Sequence, residues 1–163
     1  KIKLVRHFFQ IGGADQMVES IIEFTDDELE CIENKLCIKS SKKLLTGNYV
    51  EYYKNGNVKR RFEYKNGILD GVVENFREDG KLIHMETWKE KSLHGFFKTY
   101  DEKNDSISTG FFNNRHESGE WKTYDKNGVL VSKLVFDDKG NLISKEENEN
   151  EEYYKIFQFD KKG

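Results

Sequence analysis

Gly47-Asn48-Tyr49-Val50-Glu51-Tyr52-Tyr53-Lys54-Asn55-Gly56 sets a frame that the chain repeats three more times. Gly71, Gly95 and Gly119 follow Gly47 at intervals of 24 residues. Two residues past each glycine stand Tyr49, Val73, Phe97 and Trp121; five past stand Tyr52, Phe76, Tyr100 and Tyr124. Seventeen past stand Tyr64, Trp88, Phe112 and Phe136. With 13 glycines in 163 residues, four in phase are not chance once three aromatic rows keep step with them. A fixed period of this length marks a repeat architecture, in which each unit is stabilised by its neighbours.

The turns say what each unit is. Lys54-Asn55-Gly56, Glu78-Asp79-Gly80 and Lys126-Asn127-Gly128 carry the Asn-Gly and Asp-Gly pairs of two-residue type I′ hairpin turns. In the third copy Asp101-Glu102-Lys103-Asn104-Asp105 stands instead, a looser turn. A two-residue turn at 55–56 sets facing positions to sum to 111, pairing Tyr49 with Phe62 and Tyr53 with Val58. Paired residues share a face. One face of hairpin 1 then holds Tyr49, Tyr53, Val58, Phe62 and Tyr64, and the other holds Val50 and Tyr52. The same arithmetic puts Trp121, Leu130, Leu134 and Phe136 together in hairpin 4, opposite Tyr124, Val131 and Val135.

Composition agrees. The chain is 36% hydrophobic and 35% charged yet 13% aromatic, with a mean hydropathy of −0.84. Rings bury much area at few positions, so a thin sheet suits this sequence better than a thick core. The expectation is an all-β, elongated, largely single-layer antiparallel sheet of stacked hairpins, with aromatic ladders in place of a buried interior.

Outside the array the reading is coarser. Residues 1–28 form an N-terminal segment off the repeat, with a strand over 2–9, a break at Gly12-Gly13 and a short helix over 15–22. Residues 25–39 admit two readings. Thr25 and Glu28 form a capping box ahead of Leu29, Ile32 and Leu36 at helical spacing. The preferred reading is a degenerate first hairpin within 29–46, turning at Glu33-Asn34-Lys35, which places Cys31 opposite Cys37 where a disulfide is conceivable. The repeat array spans 47–143. In 144–163, an exposed acidic stretch precedes a closing strand or cap at Tyr153 to Phe159.

These residues resemble the MORN repeat, in its 24-residue bacterial variant. Gly47 to Gly56 and Tyr64-Lys65-Asn66-Gly67 carry the likeness, which covers about 44–143. The resemblance implies a hairpin array, an antitoxin-like label in bacteria, and association with partner proteins or membranes. A lipid-kinase label could also come with it, through repeats that sit beside such kinases elsewhere.

Catalytic patterns do not emerge. Phosphoryl transfer needs a phosphate-cradling loop, a lysine and metal-binding acids, and the repeat glycines serve backbone geometry. His7, His84, His94 and His116 share no metal spacing; His84 falls beside Trp88 on a strand. Ser92 and Ser118 read as loop residues between hairpins, and Glu51, Glu63 and Asp70 as solvated acids. The expectation is a chain that is not an enzyme and needs no cofactor or metal.

Net charge is −3, with 27 basic and 30 acidic residues interspersed, which disfavours nucleic acid as a partner. No apolar run is long enough for a membrane helix. Location stays open between the cytoplasm and export to the cell envelope. Lys59-Arg60-Arg61, the one compact basic cluster, is split between two faces by strand alternation.

The aromatic rows are the best functional candidates. Tyr49, Phe97, Trp121, Trp88 and Tyr64 form the candidate binding strip. Gly47, Gly71, Gly95 and Gly119, with Tyr52, Phe76, Tyr100 and Tyr124, are assigned to structure. The expected activity is scaffolding for an unknown protein partner through the strip or a free sheet edge, which also offers a route to oligomers. The alternative is peripheral contact with phospholipid or other cell-envelope components.

Overall fold

The computed structural model describes residues 24–148 in full, and the backbone alone at 3–5, 8–11, 14–17, 21–23, 149–150 and 153–158. The strands are β1 (Lys3–Val5), β2 (Phe8–Ile11), β3 (Ala14–Met17), β4 (Ile21–Phe24), β5 (Leu29–Ile32), β6 (Lys35–Ile38), β7 (Gly47–Tyr52) and β8 (Val58–Lys65). They continue as β9 (Ile68–Phe76), β10 (Leu82–Lys89), β11 (Ser92–Asp101), β12 (Ser106–Asn113), β13 (His116–Tyr124), β14 (Leu130–Phe136), β15 (Leu142–Asn150) and β16 (Tyr153–Gln158). From β7 to β16 every strand pairs antiparallel with the next in sequence. β4 lies parallel against the outer edge of β7, and β1 pairs with β4, giving twelve strands in one sheet. The all-β hairpin architecture is as the repeats predict.

The 24-residue period is visible in the register. Gly47, Gly71, Gly95 and Gly119 pair with Tyr64, Trp88, Phe112 and Phe136, so each ring stands opposite a residue without a side chain. Toward the preceding hairpin, Gly71, Gly95 and Gly119 lie where the register slips. Such bulges bend a strand and increase its twist. At Gly71, φ is +138° and a Cβ would collide with the Glu63 carboxylate. That carboxylate instead accepts a bond from the Val72 N–H at 3.0 Å.

The turns are exchanged relative to expectation. Asn55-Gly56, Asp79-Gly80 and Asn127-Gly128 do not form two-residue turns. Each belongs to a three-residue loop with its glycine at φ near +80 to +88°. The loops close through Tyr53 N–H to Asn57 O, Arg77 to Lys81 and Asp125 to Val129, each at 2.8–2.9 Å. This is a type I turn followed by a left-handed residue. The two-residue turns lie at the other end of the hairpins, at Asn66-Gly67, Glu90-Lys91 and Asn114-Arg115, with both residues at positive φ.

A bulge beside each three-residue loop corrects the pairing. Tyr52, not Tyr53, faces Val58, and Leu130 faces Tyr124 instead of sharing a face with Trp121. The third copy has no such bulge and spends its extra residue in a four-residue loop closed by Asp101 and Ser106. Asp105 rather than Asn104 takes the positive φ there. Of the row five past the glycine, Tyr100 and Tyr124 fall in one line, Tyr100, Ile107, Tyr124 and Leu130 facing one another across four strands, while Tyr52 faces Val58 and Phe76 faces Leu82.

Residues 29–38 form the hairpin β5–β6, but as a separate two-stranded sheet. The capping box is present as well and heads a single 3-10 turn over Asp26–Glu28, with the Glu28 carboxylate 3.1 Å from the Thr25 N–H. The turn is Glu33-Asn34, two residues instead of three, so Cys31 faces Leu36 and Cys37 faces Glu30. One residue of register sends the two thiols to opposite faces. Both are free, Cys31 exposed and Cys37 buried, which corrects the disulfide option.

Three further expectations are corrected. The helix over 15–22 is replaced by strands β3 and β4, where pairing across the Gly12-Gly13 break outweighs a weak helical pattern. Glu146 and Glu147 are paired strand residues, with Lys133 and Lys145 offsetting their charge at 3.7 and 2.5 Å. Ser92 and Ser118 lie in strands. Within 153–159, Tyr153–Gln158 forms the last strand; Phe159 lies outside the described residues.

Among the described residues the buried cluster is small and sits at the β7–β8 end, and Val50 and Val73 are buried outside it. Phe24, Leu29 and Leu45 are buried together, with Leu36, Ile38, Tyr49 and Tyr64 packed against them. Leu45 is fully enclosed, and backbone bonds from Leu36 to Gly67 and from Gly67 to Leu45 tie β5–β6 onto the β8–β9 turn.

Candidate functional site

Strand alternation and cross-strand pairing sort the array into two faces. The first face has three rows. One is polar: Glu51, Arg60, Asn75, His84, Thr99, Ser108, Thr123 and Ser132 face one another from β7 to β14. The middle row runs Tyr49, Phe62, Val73, Glu86, Phe97 and Gly110, then resumes as Trp121 and Leu134. The third holds Tyr64, Trp88, Phe112 and Phe136.

Gly110 explains the break. The Trp121 indole lies where its side chain would be, so a Cβ at 110 would stand inside the ring. The indole Nε1 donates to the Phe111 carbonyl at 3.2 Å, which fixes the ring over the neighbouring strand. Around it the rings are contiguous. Trp121 lies 5.1 Å from Phe97, 5.0 Å from Phe112 and 6.4 Å from Phe136, centroid to centroid. Phe97 also meets Phe112 at 5.4 Å and His84 at 5.1 Å, both edge to face. Such pairs each contribute about 0.5–1.5 kcal/mol beyond the area they bury.

The candidate strip therefore divides. Phe97 and Trp121 are in direct contact. Trp88 stands one strand away, its Nε1 donating to Glu86 at 2.7 Å while the other Glu86 oxygen lies 3.0 Å from His84 Nε2. Tyr49 and Tyr64 belong to the covered end. Tyr49 stacks on Phe62 at 5.5 Å and donates to Asp26 at 2.6 Å. Burial, then the bond to Asp26, pushes its phenol well above the usual range; burial does the same at Tyr64. Phe112, Phe136, His84 and Glu86 join the strip although composition singles out none of them. The signal for Phe112 and Phe136 is their shared place seventeen residues past the repeat glycine.

The second face is charged along its midline. Val50, Arg61, Glu74, Met85, Lys98, Thr109, Lys122 and Lys133 face one another strand by strand. Glu120 lies between Lys122 and Lys133 at 2.7 and 2.8 Å. Hydrogen bonds to Lys122 first and Lys133 second pull its carboxyl down to about 2. Rings on this face occur as a pair, Phe96 and Phe111, and as Tyr100 and Tyr124 on either side of Ile107. Both arginines of the basic cluster face carboxylates, Arg60 meeting Glu51 at 2.6 Å on the first face and Arg61 meeting Glu74 at 2.9 Å on the second, while Lys59 lies over the Tyr53 ring. Glu51 and Glu63 are accordingly engaged, not merely solvated.

Among the described residues no group of three or more His, Cys, Asp or Glu is arranged to hold a metal ion, and no helix is long and apolar enough to cross a membrane. Two segments, residues 45–66 and 117–138, match the family model for the MORN repeat variant. Their starts lie three periods of 24 apart, in phase with the cross-strand rows. No curated protein and no solved structure matches the chain.

Proposed function

We propose that the chain, which carries repeats of the MORN variant, is a non-catalytic scaffold that binds a protein partner through the aromatic strip of its first face. The observation that carries this reading is the run of touching rings from His84 through Phe97, Phe112 and Trp121 to Phe136. All except the exposed-edge positions around them are half-buried, and no second layer covers them among the described residues. Large, rigid rings held in place before binding lose little freedom when a partner covers them, which is why tryptophan and tyrosine dominate binding hot spots. Peripheral membrane contact is less favoured, because Arg60 and Arg61 already face carboxylates.

The test compares two faces of one sheet. The protein, Trp121→Ala and the second-face control Phe111→Ala are used to capture products of neighbouring genes. Loss of a stoichiometric partner with Trp121→Ala and its retention with Phe111→Ala are expected. Capture unaffected by Trp121→Ala would overturn the reading. Co-sedimentation with anionic vesicles that disappears at raised salt would favour the membrane alternative.

A further inference from the structure

Between hairpins 2 and 3, on the second face, the sheet carries a cavity of about 380 Å³. Its floor is apolar, made by Leu82, Ile83, Tyr100 and Ile107. The rest of its lining is three cations, Arg77, Lys81 and Lys98, together with His84. The volume falls within the range of small-molecule sites, roughly 300–1,000 Å³.

The cavity occurs where the repeat departs from its own pattern. At the corresponding groove between hairpins 1 and 2, Tyr53 reaches across and its hydroxyl donates to the Phe76 carbonyl at 2.9 Å. One period later the position is Arg77, whose guanidinium arches over to Glu102 at 2.8 Å. Glu102 belongs to the four-residue loop peculiar to the third copy. Asp105 of the same loop holds the Tyr100 hydroxyl at 2.6 Å. An arch replaces a plug, and space remains beneath it.

The charges define what fits. Arg77 is offset by Glu102 and by Asp79 at 3.3 Å. Lys81 and Lys98 have no carboxylate partner among the described residues, and Lys98 is half-buried with Met85 and Thr109 as its cross-strand neighbours. We infer that this cavity binds a small amphipathic anion, an aliphatic monocarboxylate whose chain lies on Leu82, Ile83, Tyr100 and Ile107 and whose head meets Lys98 and Lys81. The site opens on the face opposite the aromatic strip; His84 borders both, and Trp121 belongs to the strip alone.

Titration of the labelled full chain with decanoate, followed by amide NMR, tests this. Saturable shifts centred on Leu82, Lys98 and Ile107 are expected, with 1-decanol binding about tenfold more weakly or worse, as for loss of one charge-assisted contact. Lys98→Gln should weaken decanoate by a similar factor while its own spectrum stays folded, and Trp121→Ala should leave the affinity unchanged. The inference is overturned by absence of saturation at about 1 mM ligand, the weak end of specific affinity. It is equally overturned by shifts centred on the first face, by equal affinity for 1-decanol, or by a Lys98→Gln affinity equal to that of the parent.

Discussion

The β7–β8 end and the β9–β14 stretch use the same repeat rows and are held by different means. At the β7–β8 end, Tyr49 and Tyr64 pack under Leu29, Leu36 and Leu45, and a closed core exists. Farther along, the equivalent positions Phe97, Trp121, Phe112 and Phe136 pack on one another and, at Phe97, on His84. Equivalent residues therefore serve as core at one end and as surface at the other. What differs is whether a non-repeating segment lies over them. Rings in register suffice to hold a sheet one layer thick, while an added layer converts the same rings into a hydrophobic interior.

The largest effect should come from the covered end. Leu45→Ala empties a fully enclosed site and should cost about 2–5 kcal/mol, read by urea denaturation. A loss below about 0.5 kcal/mol would mean that the small core contributes little, and would erase the contrast between the two ends. Next comes the open stretch. Gly110→Ala forces the Trp121 indole off its seat and should cost about 1–3 kcal/mol by overpacking. Its near-ultraviolet tryptophan signal should change with it. An unaltered signal and unaltered stability would show that Trp121 does not depend on the gap at 110.

The smallest effect concerns the charged midline. The Glu120 carboxyl is lowered from 4.5 to about 2 by Lys122 and Lys133. A depressed acid stabilises the fold above its unfolded value and loses that contribution as pH falls through the folded one. Stability of the parent should therefore decline faster than that of Glu120→Gln as pH drops from about 4.5 to about 2. The two should run parallel above that window. Because Glu120 is exposed, solvent and salt screen the interaction and the difference should shrink in high salt. Identical acid profiles would remove Glu120 from the account.

Much of this was legible in the repeat. The pairing of Tyr49 with Phe62 and of Trp121 with Leu134 follows from period and alternation alone. Within the hairpins, register departs from the simple pattern only within a residue or two of turns. Asn55-Gly56 marks a turn, but the dipeptide does not fix whether two or three residues lie between the closing pair. A bulge then absorbs the difference, so Tyr52 rather than Tyr53 meets Val58. At Glu33-Asn34 no bulge intervenes, and the one-residue error separates Cys31 from Cys37. The strip was partly legible for a different reason. Phe97 and Trp121 stand out by residue type; Phe112 joins through Phe97 and the indole, and Phe136 through the indole that Gly110 lets lean across a strand.

The sequence by itself determined the hairpin array, its period and which residues share a row, because these depend on local turns and on alternation, both written within each 24-residue unit. Tertiary structure alone decided which rings are core and which are surface, and where an unfilled groove remains. Those outcomes depend on segments far apart in sequence meeting in space: β5–β6 lying over Tyr49 and Tyr64, and Arg77 arching to Glu102. No period encodes such contacts, since they arise where the chain stops repeating itself.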